Sequence, residues 1–570
     1  MRHIGSGSSL AICVALVLGQ AVFLASEWWL SLWARAGPDS QAESKWLWVY
    51  GMLTALVLLL SISRSALFFE ATVTAATRIH DAMTARVLRA PLAFFHTNPA
   101  GRVLNRFSKD LGLVDDMLPV TLFDALQCGF LVLSAFVLVS IAVPFILPVF
   151  LPLAGVFVLL RGRYLGASRE IKRWEAVTRS PVFASFSATL RSLPTIRAYA
   201  VQQRFQHAFL NQLTVNGSWF YAFIATARWI GFRLDVIAAT TLMVTALLAM
   251  GTRDGVPINL LALALTHVLQ LTGFLQWFVR QTAEVENSMT SMERMLEYTD
   301  LPQEPPLVAE GGAAAPPGWP SSGALTYEHV SACYRPGLPP VLTDLTFHLA
   351  AGTSCGVVGR TGSGKSSLML TLFRLITLTG GRIKLDGVDT AGLGLDALRR
   401  QLAIIPQDPV LFSGSVRSNL DPWGQHQDHE LWEVLTATKL QPAIMAAGGL
   451  HAKVAEAGDN LSVGQRQLFC LARALLQRAV VLALDEATAN VDRGTDELIQ
   501  GALRDFAHAG GAGRVLLVIA HRIDTVMDTD HLLLLHAGRL HEQGNPQQLA
   551  QVSGGAFAAM VAAAKGSRQH

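Results

Sequence analysis

Residues 356–375 read GVVGRTGSGKSSLMLTLFRL, with glycines, a lysine and a serine at the spacing of a phosphate-cradling loop. Gly359, Gly364, Lys365 and Ser366 fit G-x-x-x-x-G-K-[ST], and Thr361, Gly362 and Ser363 fill the interval. Glycines let backbone N–H groups close around phosphate oxygens at a helix start. Lys365 is expected to reach the outer phosphates of a nucleotide, Ser366 to offer its hydroxyl to Mg²⁺, and Ser367 to complete the cradle. A second run, AVVLALDEATANVD, is an apolar strand ending in Asp485 and Glu486. A carboxylate there can hold Mg²⁺ through water, and its neighbour can polarise an attacking water. VLLVIAHR is another buried strand, ending near His521 at the height of a terminal phosphate. Gln407, in AIIPQDPVLF, can touch both Mg²⁺ and the attacking water. Tyr334, 25 residues before Gly359, is placed for an aromatic ring to stack on a base, although tyrosine is also an ordinary strand residue.

Such groups need strands that end together and helices that begin beside them. From Gly323 onward, short β-branched runs alternate with helical ones, the pattern of an α/β domain that fills residues 323–570. One stretch in it carries no acid, base or metal ligand: Leu461, Ser462, Val463, Gly464 and Gln465, just before the helical run RQLFCLARALLQRAV. The segment before this domain, 301–322, is rich in Pro, Gly and Ala and reads as a linker.

The first 300 residues have another character. Apolar spans near 9–34, 46–70, 117–140, 142–160, 218–250 and 257–281 are each of the length that crosses about 30 Å of hydrocarbon. Pro144 and Pro148 mark a tight turn between the third and fourth. The first span begins like a secretory signal, but its continuation SEWWLSLWAR is too long and aromatic for a cleavage region. The fold class expected is therefore an α-helical polytopic membrane domain of six transmembrane helices over 1–300, followed by an α/β P-loop NTPase domain.

Composition agrees. Hydrophobic residues make up 51% and charged residues 15%, against about one-quarter charged in soluble domains. The net charge of +3 is small and dispersed, so nucleic acid is excluded as the implied partner and a lipid bilayer takes its place. Cys13, Cys128, Cys333, Cys355 and Cys470 are isolated, which predicts neither a disulfide framework nor a zinc site. Residues 71–116 hold six Lys/Arg and residues 161–217 hold nine, while the other loops are short: 35–45 has Arg35 and Lys45, and 251–256 has Arg253. The positive-inside rule puts these two basic segments, both termini and the nucleotide domain in the cytoplasm. The sequon at Asn216 then lies on the side away from glycosylation.

The phosphate loop, Gln407, LSVGQ, LALDE, ANVD with Asp492, and His521 occur in the order and spacing of an ATP-binding-cassette domain. With six spans ahead of it, the chain resembles one half of an ABC exporter. FFHTNPAGRVLNRFSKDLGLVDD, SEWWLSLWA, ARWIGFRLD, LQWFVR and SMERMLEY are similar to the C subfamily, the multidrug-resistance-associated type, and most like its C-terminal half. The resemblance implies ATP and Mg²⁺ as cofactors. It also implies a head-to-tail partner, the transporter's first half, fused or separate, whose ATP would be covered in trans by Leu461–Gln465. Val463 stands where the family usually has glycine. In the C subfamily that departure belongs to a degenerate site, whereas Glu486 is the competent acid of this domain's own site.

Trp229 and Arg233, in ARWIGFRLD, lie one helical turn apart in a region the family uses for substrate contact. Charge and stacking together suit an amphipathic organic anion or conjugate. The competing structural reading makes Trp229 an interfacial anchor and pairs Arg228 or Arg233 with Asp235. Gln276, Trp277, Asp124, Arg161 and Arg163 are further candidates. The implied activity is ATP-driven efflux across a plasma, vacuolar or other internal membrane. An ATP-gated channel, a channel-regulatory subunit and a truncated half inactive without its partner stand as alternatives.

Overall fold

The computed structural model describes residues 6–251, 257–308, 315–335, 337–485, 501, 503, 513–520 and 523–566. They form two compact units, one of residues 1–88 and 100–301, the other of residues 89–99 and 302–570.

The first unit is helical. Its six spans are α1 (Ser6–Arg35), α2 (Ser44–Leu88), a composite helix over Ala100–Ala142 that ends in α3 (Leu118–Ala142), α4 (Leu147–Arg191), α5 (Gln202–Gly251) and α6 (Ile258–Thr299). All six are long and apolar enough to cross a membrane. Most run well past the apolar runs, because the basic segments continue as helix. The composite helix is widened by π turns at Arg106–Asp110 and Leu113–Met117. Val143 leaves helical geometry, and a short turn at Pro144–Ile146 starts α4, where the prolines predicted it.

Leu58, Leu59 and Ile62 on α2 are 60–68% exposed. That is tolerable only against lipid. With apolar solvent outside, polar pairs and close packing must hold the helices together. Gln20 Nε2 donates to Ser134 Oγ at 2.8 Å, Asn259 Nδ2 to Ser31 Oγ at 2.7 Å, and His267 Nε2 meets Glu27 Oε2 at 2.7 Å. Asn216 donates its amide to the Glu175 carbonyl at 2.8 Å, tying α5 to α4.

The second unit carries two main sheets. In the antiparallel one, β1 (Leu325–Cys333) lies between β2 (Leu342–Leu349) and β4 (Thr377–Leu385), and β5 (Val388–Asp389) edges β4. The other has the order β12-β11-β3-β10-β9-β6. There β3 (Ser354–Val358), β6 (Leu402–Ile405), β9 (Val481–Asp485), β10 (Val515–Ile519) and β11 (His531–His536) run parallel, and β12 (Arg539–Gly544) is antiparallel at the edge. The runs of Val, Leu and Ile without alternation reflect burial on both faces: β10 is buried throughout, β9 up to its last residue. A pair β7–β8 (Gly414–Ser415 and Lys453–Val454) leads into a helical layer. The layer's core includes Leu431, Leu435, Phe469 and Leu471. The described cysteines are all free thiols.

The turn between β4 and β5 shows how the Pro/Gly/Ala-rich segment is fastened. Asp386 and Gly387 have φ of +48° and +77°, the pairing a two-residue hairpin turn requires. The Asp386 carboxylate accepts from the backbone N–H groups of Ser321, Ser322, Gly323 and Ala324 at 2.7–3.0 Å, and from the Ser322 hydroxyl at 2.7 Å. Partial burial pushes its pKa up, but these donors outweigh it and bring the carboxyl down to about 2, from 3.8. A depressed pKa stabilises the fold above the unfolded value and loses that effect as pH falls through the folded one. Asp386→Asn is therefore expected to cost on the order of 1 kcal/mol at pH 7, because the side chain is only partly screened from water. The gap between parent and variant should close from about pH 4 to pH 2, where Asp386 itself becomes neutral. Thermal unfolding at both ends of that window measures it. A gap that persisted at pH 2 would assign the effect to shape instead of charge.

Candidate functional site

The loop predicted for phosphate connects β3 to α7 (Lys365–Leu372). Gly364 precedes the helix at φ +102°, and a Cβ there would lie 2.7 Å from Leu342 Cδ2 and 3.2 Å from the Val341 carbonyl oxygen. Only glycine fits both the dihedral and the space. Lys365 is 6% exposed. Its ammonium curls back over the loop to donate to the carbonyls of Gly359 at 2.9 Å and Arg360 at 3.4 Å. Ser363 is also buried, and its Oγ has no hydrogen-bond partner among the described residues. A cavity of about 380 Å³ beside the loop is lined by Gly359, Arg360, Thr361, Ala520 and Ile523. A buried hydroxyl without a partner among the described residues, an ammonium resting on loop carbonyls and a helix N-terminus match what an oligophosphate takes up. The residues present thus fit ATP.

The strand end comes to this loop. The Ser366 hydroxyl donates to Asp485 Oδ1 at 3.2 Å, joining the two groups expected to share Mg²⁺. One hydroxyl and one carboxylate suit an ion that keeps several waters and binds phosphate. Asp485 and Ile519 are direct partners in the β9–β10 ladder, so the chain leaving β10 toward His521 starts beside β9. Glu486, Asp492 and His521 themselves lie outside the described residues. Ser367, 4% exposed, meets the Tyr334 hydroxyl at 2.8 Å, which ties that ring to α7.

Leu461–Gln465 opens α8 (Val463–Leu476). Ser462 is its N-cap: Ser462 Oγ accepts from Gln465 N–H at 3.1 Å, and Gln465 Oε1 accepts from Ser462 N–H at 2.9 Å. This capping box explains the Ser and Gln by local structure. It also leaves the Ser462 hydroxyl hydrogen free to donate outward. Leu461 packs on the helical core. Ser462 is exposed, and Val463, 41% exposed, points its side chain out at the first helical position.

Gln407 is exposed just after β6, and its placement depends on residues that no motif marks. Gln467 on α8, 3% exposed, donates Nε2 to the Gln407 carbonyl at 2.9 Å. Arg473 on the same helix donates to the carbonyls of Asn419 at 2.6 Å and Val410 at 2.7 Å. Burial lowers the Arg473 pKa. The helix that presents Ser462 therefore also braces the segment carrying Gln407. One signal was available: Gln467 shares the buried face of Leu471 and Ala474, at i+4 and i+7, and a polar side chain there needs a partner.

In the helical unit, Trp229 and Arg233 find each other. The guanidinium sits 3.8 Å from the Trp229 ring centroid and donates to the Trp229 carbonyl at 3.3 Å. Asp235 takes Gln276 as its partner, not Arg228 or Arg233. Asp124 accepts from Trp277 at 3.3 Å and Gln281 at 3.4 Å. A cavity of about 660 Å³ opens between α4, α5 and α6. Arg228, Arg280, Phe223, Phe232 and Trp277 line it, and Trp229 and Arg233 do not. Asp235 and Glu284 are also in its wall, but Gln276 engages the first and Lys172, at 3.3 Å, the second. Arg228 and Arg280 have no carboxylate partner among the described residues.

Comparison with known proteins gives the same division of the chain. Residues 9–273 match the family "ABC transporter transmembrane region", and residues 342–489 match "ABC transporter". The chain is 42% identical over 579 residues to ATP-binding cassette sub-family C member 4 of Mus musculus, covering 98% of this chain and 43% of that one. It is 38% identical over 567 residues to sub-family C member 2 of Homo sapiens, covering 97% and 36%. ABC transporter C family member 3 of Dictyostelium discoideum is 40% identical over 541 residues, covering 92% and 38%. The chain spans less than half the length of these relatives.

Proposed function

The chain belongs to the ABC transporter family, to its C subfamily, and from that premise we propose that it is one half of an ATP-driven exporter of amphipathic organic anions. The observation that carries the substrate class is the 660 Å³ cavity whose uncompensated charge is positive. Its two carboxylates are engaged by neighbours, while Arg228 and Arg280 are left to bind an anion, and Phe223, Phe232 and Trp277 offer apolar and stacking surface to the rest of the molecule. Trp229 and Arg233, on the adjoining face of α5, make the second place such an anion could lie.

In this reading the nucleotide site is made by Gly359–Ser367, Asp485, Gln407, Glu486 and His521, with Tyr334 stacking on adenine. Bound Mg²⁺ supplies charge neutralisation of the phosphates. Lys365 turns its ammonium from the loop carbonyls to phosphate oxygens, Glu486 accepts a proton from the attacking water, and Gln407 and His521 orient the water and the terminal phosphate. Leu461–Gln465 donate to the nucleotide of a first-half partner, with Asp492 alongside. The nucleotide unit and the basic helical segments face the cytoplasm, which the positive charge of 71–116 and 161–217 supports.

ATP-dependent uptake into inside-out vesicles, with the chain assembled with a first half, tests the substrate class. Arg280→Ala and Arg228→Ala are each expected to lower uptake of an anionic amphipath roughly tenfold, the worth of one charged hydrogen bond. Uptake of a neutral analogue of the same shape should change little. Loss through Arg233→Ala alone would move the site to the Trp229 face. Equal losses for both substrates would remove the anion from the proposal, and an ATP-gated current without uptake would replace the pump by a channel.

A further inference from the structure

Residues 89–99 continue directly from α2, yet they group with the nucleotide unit. Their first residue is clamped there: the Arg89 carbonyl accepts from Glu304 N–H at 2.8 Å. The Glu304 carboxylate is itself held by both terminal nitrogens of Arg399, at 2.8 and 3.0 Å. The short helix Leu92–Thr97 then carries His96 to the one aromatic residue of the nucleotide site. The imidazole and the Tyr334 ring lie 5.5 Å apart at 52°, inside the range at which aromatic pairs attract.

Tyr334 is thus held at two points. Its hydroxyl is fixed to Ser367 on the phosphate-loop helix at 2.8 Å, and its ring is flanked by His96. The first contact anchors only the tip of the side chain. A ring anchored at its tip can still rotate about its own axis and swing at Cβ, and the second contact removes that freedom. A stacking surface gains affinity when its orientation is settled before the ligand arrives.

We propose that His96 is a positioning residue for nucleotide recognition: it sets the plane of Tyr334 for adenine, so that adenine affinity depends on where residues 89–99 sit. The proposal rests on reading Tyr334 as the adenine-stacking ring. Because coupling free energy is reciprocal, a bound base must in turn favour the placement of this segment. The triphosphate, held by the loop and Lys365, has no part in the exchange. The adenine end of the site therefore communicates with the segment that follows the second membrane span, and the phosphate end does not.

The experiment uses the full chain in nanodiscs, with ATP and inorganic tripolyphosphate as the two probes. His96→Ala is expected to weaken ATP about three- to tenfold and to leave tripolyphosphate unchanged, and His96→Phe should restore ATP. On a Tyr334→Ala background, His96→Ala should add nothing. Hydrogen exchange of residues 92–97 should slow with ATP but not with tripolyphosphate, and Tyr334→Ala should abolish the difference. If Tyr334→Ala weakens ATP selectively while His96→Ala has no effect, or adds its full effect on top, His96 has no positioning role. Parallel loss of both probes in His96→Ala overturns the proposal as well. If Tyr334→Ala leaves ATP affinity intact, the stacking reading itself fails, and this inference with it.

Discussion

Glu486→Gln is expected to slow ATP turnover by ~10²–10⁴ when the chain is assembled with a first half, the usual worth of a positioned general base. ATP affinity should stay close to that of the parent. The argument runs from β9, which is buried up to its last residue, Asp485. Asp485 already meets Ser366 at 3.2 Å, which in the proposed site puts it on the metal side. In that proposal the next residue, Glu486, serves the water. Hydrolysis needs an acceptor for the water's proton as the new bond forms. A carboxamide keeps the shape and hydrogen-bonding reach of the carboxylate but cannot take that proton, so binding survives and chemistry does not. The contrast is expected to be sharp because, in the proposed head-to-tail pair, Val463 would belong to a degenerate site on the other nucleotide. The loss at Glu486 would then have no second full site to hide behind. Steady-state ATPase and nucleotide affinity, measured on the same preparation, decide it. Turnover at the parental rate would give the base to another group, with His521 the next residue to replace.

What the sequence made legible follows from how local each feature is. The phosphate loop is contiguous with the strand before it and the helix after it, so its chemistry and its geometry are written in one run of twenty letters. The six spans are legible because lipid demands length and apolarity and little else. The apolar strands before Asp485 and before His521 are legible because burial on both faces suppresses alternation. Contacts between distant positions are another matter. Gln467 braces Gln407 across 60 residues, and His96 reaches Tyr334 from a different part of the chain altogether. Neither contact has a local pattern, since each is created by the fold.

The membrane helices show a further limit. Arg228 and Arg233 are five residues apart on α5, about 140° around the helix at 100° per residue, so they cannot share a face. A helix in lipid is apolar on every side, and its periodicity does not say which side meets its neighbours. The sequence pointed to Arg233 beside Trp229, and those two residues do pair. The structure places Arg228 at the cavity wall. The same reasoning explains Ser462 and Gln465: the motif was readable, but its capping box appears only with the helix start in view.

Lys365→Ala is expected to weaken ATP binding by this chain about 100-fold, from the loss of charged hydrogen bonds to two phosphate groups. The ammonium is buried and, among the described residues, donates to the Gly359 and Arg360 carbonyls. That holds the charge at the mouth of the loop, poised between weak neutral acceptors and a stronger anionic one. Removing it leaves those two carbonyls to water and the phosphates without the ammonium that the loop would supply. The loss should appear in the full chain by itself, because the loop, Ser366 and Asp485 all belong to it. Ser462→Ala gives the opposite pattern. The Ser462 hydroxyl caps α8 and faces outward, so the chain alone should bind ATP as the parent does. Its effect should emerge only with a first half present, as weaker nucleotide-dependent closure of the pair. Titrating ATP into each variant, with and without the partner, separates the two roles. If Ser462→Ala abolished binding by the lone chain, the motif would act on its own nucleotide and the head-to-tail arrangement would fall. If Lys365→Ala bound ATP normally, the loop would not be the phosphate site at all.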